Sequence, residues 1–386
     1  MMRARLLMVL VPLLLLGACT ATPAKKGEKA EGPQQQSRQD PQAARVEFLQ
    51  MLNRPRVPLA PEVSPPTAAD GVVQIRFWYT SQAGVRVPGI LIKPASDAGT
   101  RRPVVIAMHG AGGNKMDQLP FLRQCVARGF IGVAIDGRYH GERAGGVAAA
   151  GGVGELNAYN LAILDAYCDT PRLRIRVFGA NATPPQEPFY PLYYDTVWDV
   201  MRLVDFLRMR EDVDPARIGL YGVSKGGIEA YLAGAADPRI AVVVPAIGVQ
   251  TFRYGLKNNA WQGRVATVQP AFDAAARATG IDKPDWHFVE VFYNRVMPGI
   301  IDTFDGPGML PLIAPRPLLV INSDNDKNTP IEGVRIAVQA ARDAYAEATP
   351  PATDRFEFRL QPGAGHRVLP ESQAAAVEWF GWWLKP

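Results

Sequence analysis

Histidine is scarce in this 386-residue chain, with four copies at positions 109, 140, 287 and 366. So few leave little room for a histidine-built metal site. Cysteine is scarcer still, and Cys19, Cys125 and Cys168 follow no metal-ligand spacing. No metal or other cofactor is therefore expected. Concentrated positive charge is missing too. The 42 basic residues against 37 acidic ones leave a formal net charge of +5, a mild excess, and no lysine or arginine cluster resembles a nucleic-acid footprint. The apolar run near the N-terminus is too short to cross a bilayer as a helix. What remains is ordinary: 47% of residues are apolar and 20% charged, enough to bury a sizeable core. The length suits one large α/β domain or two modest ones.

The first residues carry Arg3 and Arg5 and then an apolar stretch from Leu6 to Leu16, the pattern of an export signal. That stretch runs into Leu16-Gly17-Ala18-Cys19, which resembles the lipobox of bacterial lipoproteins. The resemblance implies a signal peptide over 1–18, cleaved before Cys19, with lipid carried on the Cys19 sulfur. Thr20 in the next place implies the outer membrane. Such a protein is anchored by its lipid and keeps a soluble body. Residues 19–45 are rich in Lys, Glu, Gln and Pro, cannot bury enough to fold, and are expected to form a tether. Export would place Cys125 and Cys168 where disulfides form, so a bridge between them stays open.

The folded body, 46–386, is organised around Ile218-Gly219-Leu220-Tyr221-Gly222-Val223-Ser224-Lys225-Gly226-Gly227. An apolar run enters Gly-x-Ser-x-Gly, and helical periodicity follows. This is the strand-turn-helix setting of a nucleophile elbow. Gly222 and Gly226 leave room for a sharp reversal that a side chain would block. Upstream, 72–79 and 85–92 read as an antiparallel hairpin, and 103–108 as a strand buried on both faces. His109-Gly110-Ala111-Gly112-Gly113 follows that strand. Helix 119–127 and strand 130–135 come next, ending in Asp136-Gly137-Arg138-Tyr139-His140-Gly141. Further strands are expected at 240–244, 317–322 and 356–360, with helices at 334–345 and 371–384 between and after them. Two long interruptions, 144–191 and 248–305, read as insertions; the second is dense in aromatics and suggests a cap.

The Ser elbow, the His-Gly-Ala-Gly-Gly loop, the turn Ser323-Asp324-Asn325-Asp326 and the terminal Gly363-Ala364-Gly365-His366 together resemble the α/β-hydrolase superfamily. The likeness is to its dienelactone-hydrolase, acetyl-esterase and prolyl-oligopeptidase branches. It implies an α/β-hydrolase fold: a mostly parallel central sheet, helices on both faces and an inserted cap. It also implies a triad of Ser224 as nucleophile, His366 as base and Asp326 as acid, with Asp324 in reserve. The oxyanion donors would be the backbone N–H groups of Ala111 and Lys225. Asp136 and Arg138 are expected to form an internal ion pair that fixes their loop. His140 is expected to be satisfied by backbone, not to line the site.

A serine hydroxyl needs an adjacent base to act as a nucleophile. The order Ser, Asp, His is the one expected of this fold. The reaction class is acyl transfer to water, and a carboxylic-ester hydrolase, acting on acetylated or aromatic esters of polysaccharides, comes first. A prolyl-oligopeptidase-like peptidase and a non-enzymatic envelope lipoprotein are the other classes. The expected partners are a small-molecule or carbohydrate ester, and a membrane met through the lipid anchor. The triad alone separates no ester from another.

Overall fold

A computed structural model describes residues 41–96, 99–145, 156–183 and 190–385. Cys19, expected to carry lipid, the expected signal, the expected tether up to residue 40 and residues 184–188 lie outside the described residues; the last residues assigned to the tether, 41–45, instead open a helix with Ala44 buried.

The body begins with helix α1 (Pro41–Leu52), which buries Phe48 and Leu52. Short strands β1 (Glu62–Val63) and β2 (Thr67–Ala69) both pair with β3 (Val72–Gln82). The chain then reverses through Gly84, at φ 73°, into β4 (Val85–Pro94), giving the expected antiparallel hairpin. Three elements follow at the expected places: β5 (Arg102–Met108), α2 (Leu119–Ala127) and β6 (Ile131–Ile135). Beyond the next loop come α3 (Ala158–Tyr167), α4 (Pro171–Phe178) and α5 (Leu192–Arg208). Strand β7 (Val213–Val223), helix α6 (Lys225–Ala236) and strand β8 (Val242–Ala246) form the unit around the elbow.

The aromatic-rich segment then holds α7 (Phe252–Lys257), α8 (Gln262–Ala266), α9 (Gln269–Thr279), α10 (Trp286–Val296) and α11 (Gly306–Met309). The sequence reads as helical near 266–278 and 288–301, and α9 and α10 take those places. The shorter α7 and α8 carry too few turns to show a period. Regular alternation resumes with β9 (Leu318–Ser323), α12 (Ile331–Glu347), β10 (Phe356–Gln361) and α13 (Pro370–Leu384).

Among the described residues ten strands form one sheet in the order β1-β3-β4-β6-β5-β7-β8-β9-β10, with β2 attached to β3. Pairing is parallel from β6 to β10 and antiparallel from β1 to β4 and across β4–β6. Side chains of a strand alternate between faces, and this alternation fills two cores. Val104, Ile106 and Met108 of β5 join α5, α6 and α12 on one face, while Val105 and Ala107 join α2 and α13 on the other. The same split recurs in β9, with Leu318 and Val320 on one side and Leu319 and Ile321 on the other. Fully burying one such side chain stabilises the fold by about 1.5–3 kcal/mol, so the central strands hold the sheet rigid beneath its loops. Cys125 in α2 and Cys168 at the end of α3 are each buried with a free thiol, so no bridge joins them.

Candidate active site

Ser224 stands between the end of β7 and the first residue of α6, at φ 57° and ψ −114°. The reversal is held by close backbone approach. A Cβ on Gly222 would lie 2.0 Å from the Gly226 carbonyl oxygen, and one on Gly226 would lie 2.5 Å from that of Met108. No side chain fits at either position, which is the physical content of the Gly-x-Ser-x-Gly string.

The hydroxyl of Ser224 lies 2.7 Å from His366 Nε2, and His366 Nδ1 lies 2.7 Å from Asp326 Oδ2. Ionised Asp326 can only accept, so the imidazole carries its proton on Nδ1 and leaves Nε2 free to accept from the serine. Asp326 is fully buried. Burial alone would raise its carboxyl, yet hydrogen bonds from His366, the Asn328 N–H and the Thr329 hydroxyl hold it below the usual range. Asn322 in turn donates to Thr329 Oγ1 and to the Val249 carbonyl, which ties the acid turn to the segment that follows β8. The reserve acid, Asp324, is used differently. Its Oδ1 accepts the Gly363 N–H at 2.7 Å, tying the acid turn to the loop that carries His366.

Sequence reasoning missed Gln361. Buried at the end of β10, it donates to Ser323 Oγ and the Arg367 carbonyl and accepts from the Leu369 N–H, bracing both sides of the histidine loop. A glutamine closing a strand carries no sequence signal for this work, because its partners come from residues on two other segments.

Ala111 and Lys225, named as oxyanion donors, line one cavity with Ser224, of about 290 Å³ and partly open to solvent. The Lys225 amide is the first of α6, one of the N–H groups that a helix start leaves without an internal partner. The loop behind Ala111 is fixed by His109. Its Nδ1 donates to the Gly110 carbonyl at 2.8 Å and its Nε2 accepts the Gly137 N–H at 2.9 Å. Burial and the nearby Lys225 ammonium push this imidazole down to about 4, so it stays neutral near pH 7. The Lys225 side chain turns inward to a buried ion pair with Glu229, with the Tyr159 ring 5.7 Å from its Nζ.

The expected ion pair between Asp136 and Arg138 does not form. Asp136 binds Lys115 Nζ at 2.6 Å and the Lys115 and Glu142 N–H groups, while Arg138 takes both oxygens of Asp199 at 2.9 and 3.0 Å. Arg143 adds a third bond to Asp199. The two residues are neighbours in sequence but point to opposite walls of their loop: Asp136 faces the turn after β5, and Arg138 faces α5. His140 is satisfied on one side only. Its Nδ1 lies 2.7 Å from the Arg138 carbonyl, while its buried Nε2 has no partner; burial and Lys225 push its pKa down to about 3.

Of the aromatics in segment 248–305, Trp261 lines a second cavity beside the first, whereas Phe292 is wholly buried among Tyr167, Phe272 and Phe288. Phe252 and Tyr293 face both cavities. Among the described residues no group of three His, Cys, Asp or Glu could hold a metal ion.

Residues 180–348 match the family described as glucuronyl esterase, fungi. The chain is 28% identical over 197 residues to a 4-O-methyl-glucuronoyl methylesterase of Neurospora crassa, covering 47% of this chain and 44% of that protein. It is 34% identical over 130 residues to 4-O-methyl-glucuronoyl methylesterase 1 of Sodiomyces alcalophilus, covering 33% and 25%. The matched stretches thus span about half the length, or less, of the curated relatives. Among solved structures, acetyl xylan esterase 1 from Thermoanaerobacterium superposes with a TM-score of 0.60 at 19% identity, covering 90% of this chain and 93% of that one. The fold is that of the α/β hydrolases.

Proposed function

We propose that this chain is a serine carboxylic-ester hydrolase acting on esters of carbohydrates, with Ser224 as nucleophile, His366 as base and Asp326 as acid. The observation that carries the reading is the continuous path of 2.7 Å contacts from Ser224 Oγ through His366 to buried Asp326, opening on one cavity. His366 takes the serine proton as Oγ attacks the ester carbonyl, then delivers it to the leaving alkoxide. Asp326 keeps the imidazole in the tautomer that can accept and stabilises imidazolium. The Lys225 and Ala111 N–H groups face the developing oxyanion. Water then attacks the acyl-enzyme by the same relay. The fungal glucuronyl-esterase match across the elbow and acid turn supports an ester over a peptide, and a carbohydrate over a lipid. A panel of methyl glucuronate esters, acetylated xylo-oligosaccharides and peptide amides tests it. Turnover of the carbohydrate esters is expected; turnover confined to the amides would overturn the reading.

The Leu16-Gly17-Ala18-Cys19 string supports a further part of the proposal, a lipid on Cys19 that ties this body to the outer membrane of the cell envelope. The segment 248–305, inserted after β8 and contributing Phe252, Arg264 and Tyr293 to the cavity walls, acts as the cap over the site.

A further inference from the structure

Arg264 of α8 is 7% exposed and reaches the walls of both cavities, the one that contains Ser224 and the one beside it. Its Nε donates to Gln250 Oε1 at 3.2 Å, while its Nη2 is buried with no partner. Among the described residues no carboxylate pairs with it. The buried acids of this region have other partners: Glu229 pairs with Lys225 through Oε1, its Oε2 being without a hydrogen-bond partner, and Asp305 accepts the N–H groups of Phe252, Arg253 and Gly306. An arginine keeps its charge inside a protein, and an unpaired buried charge is costly. A cation placed so needs an anion from elsewhere.

The neighbours of Arg264 point the same way. Gln250 Nε2, Trp261 Nε1 and the Tyr293 hydroxyl are each buried without a partner, and all three residues line the second cavity with Arg264. Four donors from α8, α10 and the two segments that flank α7 and α8 therefore line one cavity, and Gln250 Oε1 already accepts from Arg264 Nε. A neutral sugar would present hydroxyls that both donate and accept. A wall of donors around a guanidinium fits a group that only accepts, and a planar one, since guanidinium binds carboxylate through two parallel hydrogen bonds.

We propose that Arg264, with Tyr293, Gln250 and Trp261, binds a carboxylate in the second cavity, which shares Arg264 and Tyr293 with the cavity that contains Ser224. The proposal rests on Ser224 being the nucleophile of an ester hydrolase. The carboxylate has two sources: an acid group that the substrate carries beside its scissile ester, or the acid that hydrolysis produces.

The test compares 4-nitrophenyl hydrogen glutarate and adipate with 4-nitrophenyl valerate and hexanoate in wild-type protein, Arg264→Gln and Arg264→Lys. A carboxylate on the substrate predicts that the wild type favours the charged esters in kcat/KM by more than tenfold. The ratio should collapse in Arg264→Gln and survive in part in Arg264→Lys. A product carboxylate predicts no such ratio, but competitive inhibition by glutarate and glucuronate whose constant rises more than tenfold in Arg264→Gln. Equal treatment of charged and neutral esters by the wild type, together with inhibition indifferent to position 264, overturns the proposal. The wild-type comparison needs no variant and holds even if Arg264→Gln fails to fold. Calorimetric titration of glucuronate into Ser224→Ala, with and without Arg264→Lys, needs no turnover. It separates a failure of this site from a failure of the esterase reading: binding weakened by Arg264→Lys in a protein that hydrolyses no ester supports the site alone, and no heat in either protein removes the site.

Discussion

A serine held at φ 57° and ψ −114° occupies a sparsely populated region, a local cost on the order of 1–3 kcal/mol that the packed strands on either side of it must support. The return is a hydroxyl held out from the turn, 2.7 Å from an imidazole. Around it, single residues divide the work. Asp326 meets His366, while Asp324 ties down the loop at Gly363. Asp326→Asn should therefore lower kcat by about 10⁴-fold, the size seen for the same change in a Ser-His-Asp protease, and Asp324→Asn should cost far less. Kinetics on both purified variants decide it, and the reverse ranking would move the acid to 324. His109 and His140 supply a pH prediction. Their imidazoles are pushed from the free value of 6.5 to about 4 and about 3, so the unfolded chain binds protons that the folded one does not. Their contribution to stability is complete above about pH 6.5 and is lost as pH falls toward 4 and then 3. Thermal unfolding of His140→Gln should consequently decline less steeply between pH 7 and 5 than that of the wild type. Parallel curves would show that His140 titrates normally. The two acids of the turn were readable from the sequence as candidates. The different task of Asp324 was not, because its partner Gly363 is supplied by a turn 39 residues later.

At the level of elements, the strands and the long helices were legible because burial on both faces writes continuous apolar runs, and burial on one face writes a helical period. Hence β5, β6, β9, α2 and α12 fall close to where the pattern places them. The inserted segment 248–305 was legible as an interruption but not in its details. Helices of five or six residues, such as α7 and α8, complete little more than one turn. Aromatic density likewise does not say which rings face a cavity. Trp261 does and Phe292 does not, although both lie in the same inserted segment. Substituting Trp261 by Phe should re-rank ester substrates, since pocket contacts are worth roughly 1–3 kcal/mol of discrimination. Phe292→Ala should instead cost about 3–5 kcal/mol of stability, read from denaturant unfolding, with the ranking of substrates preserved. A re-ranking by Phe292→Ala with unchanged stability would contradict that division. The loop after β6 teaches a similar lesson: Asp136 and Arg138 are adjacent opposite charges, yet Lys115 and Asp199, supplied by other elements, take them instead.

Over the whole molecule, the sheet order brings residues 224, 326 and 366 to one end, each just beyond a strand: Ser224 after β7, Asp326 after β9, His366 after β10. Ligand sites of open parallel sheets gather at those carboxyl ends, so the order of motifs along the chain carried the site as well as the fold. The partnerless donors around Arg264 could not be read this way, since an arginine in a short helix gives no sign of what it fails to meet. The proposed anchor adds a prediction at this scale. Cys19→Ser should move the protein from the membrane fraction to the soluble one and abolish palmitate incorporation, and unchanged fractionation would contradict a lipid on Cys19. The central claim, that hydrolysis passes through an ester of Ser224, is tested most directly by intact mass after mixing with excess 4-nitrophenyl acetate and quenching rapidly in acid, with a fluorophosphonate probe as the stable counterpart. The account predicts one adduct per chain, mapping to the peptide that contains Ser224 and absent from Ser224→Ala. Label on any other residue, or wild-type turnover by Ser224→Ala, would contradict it.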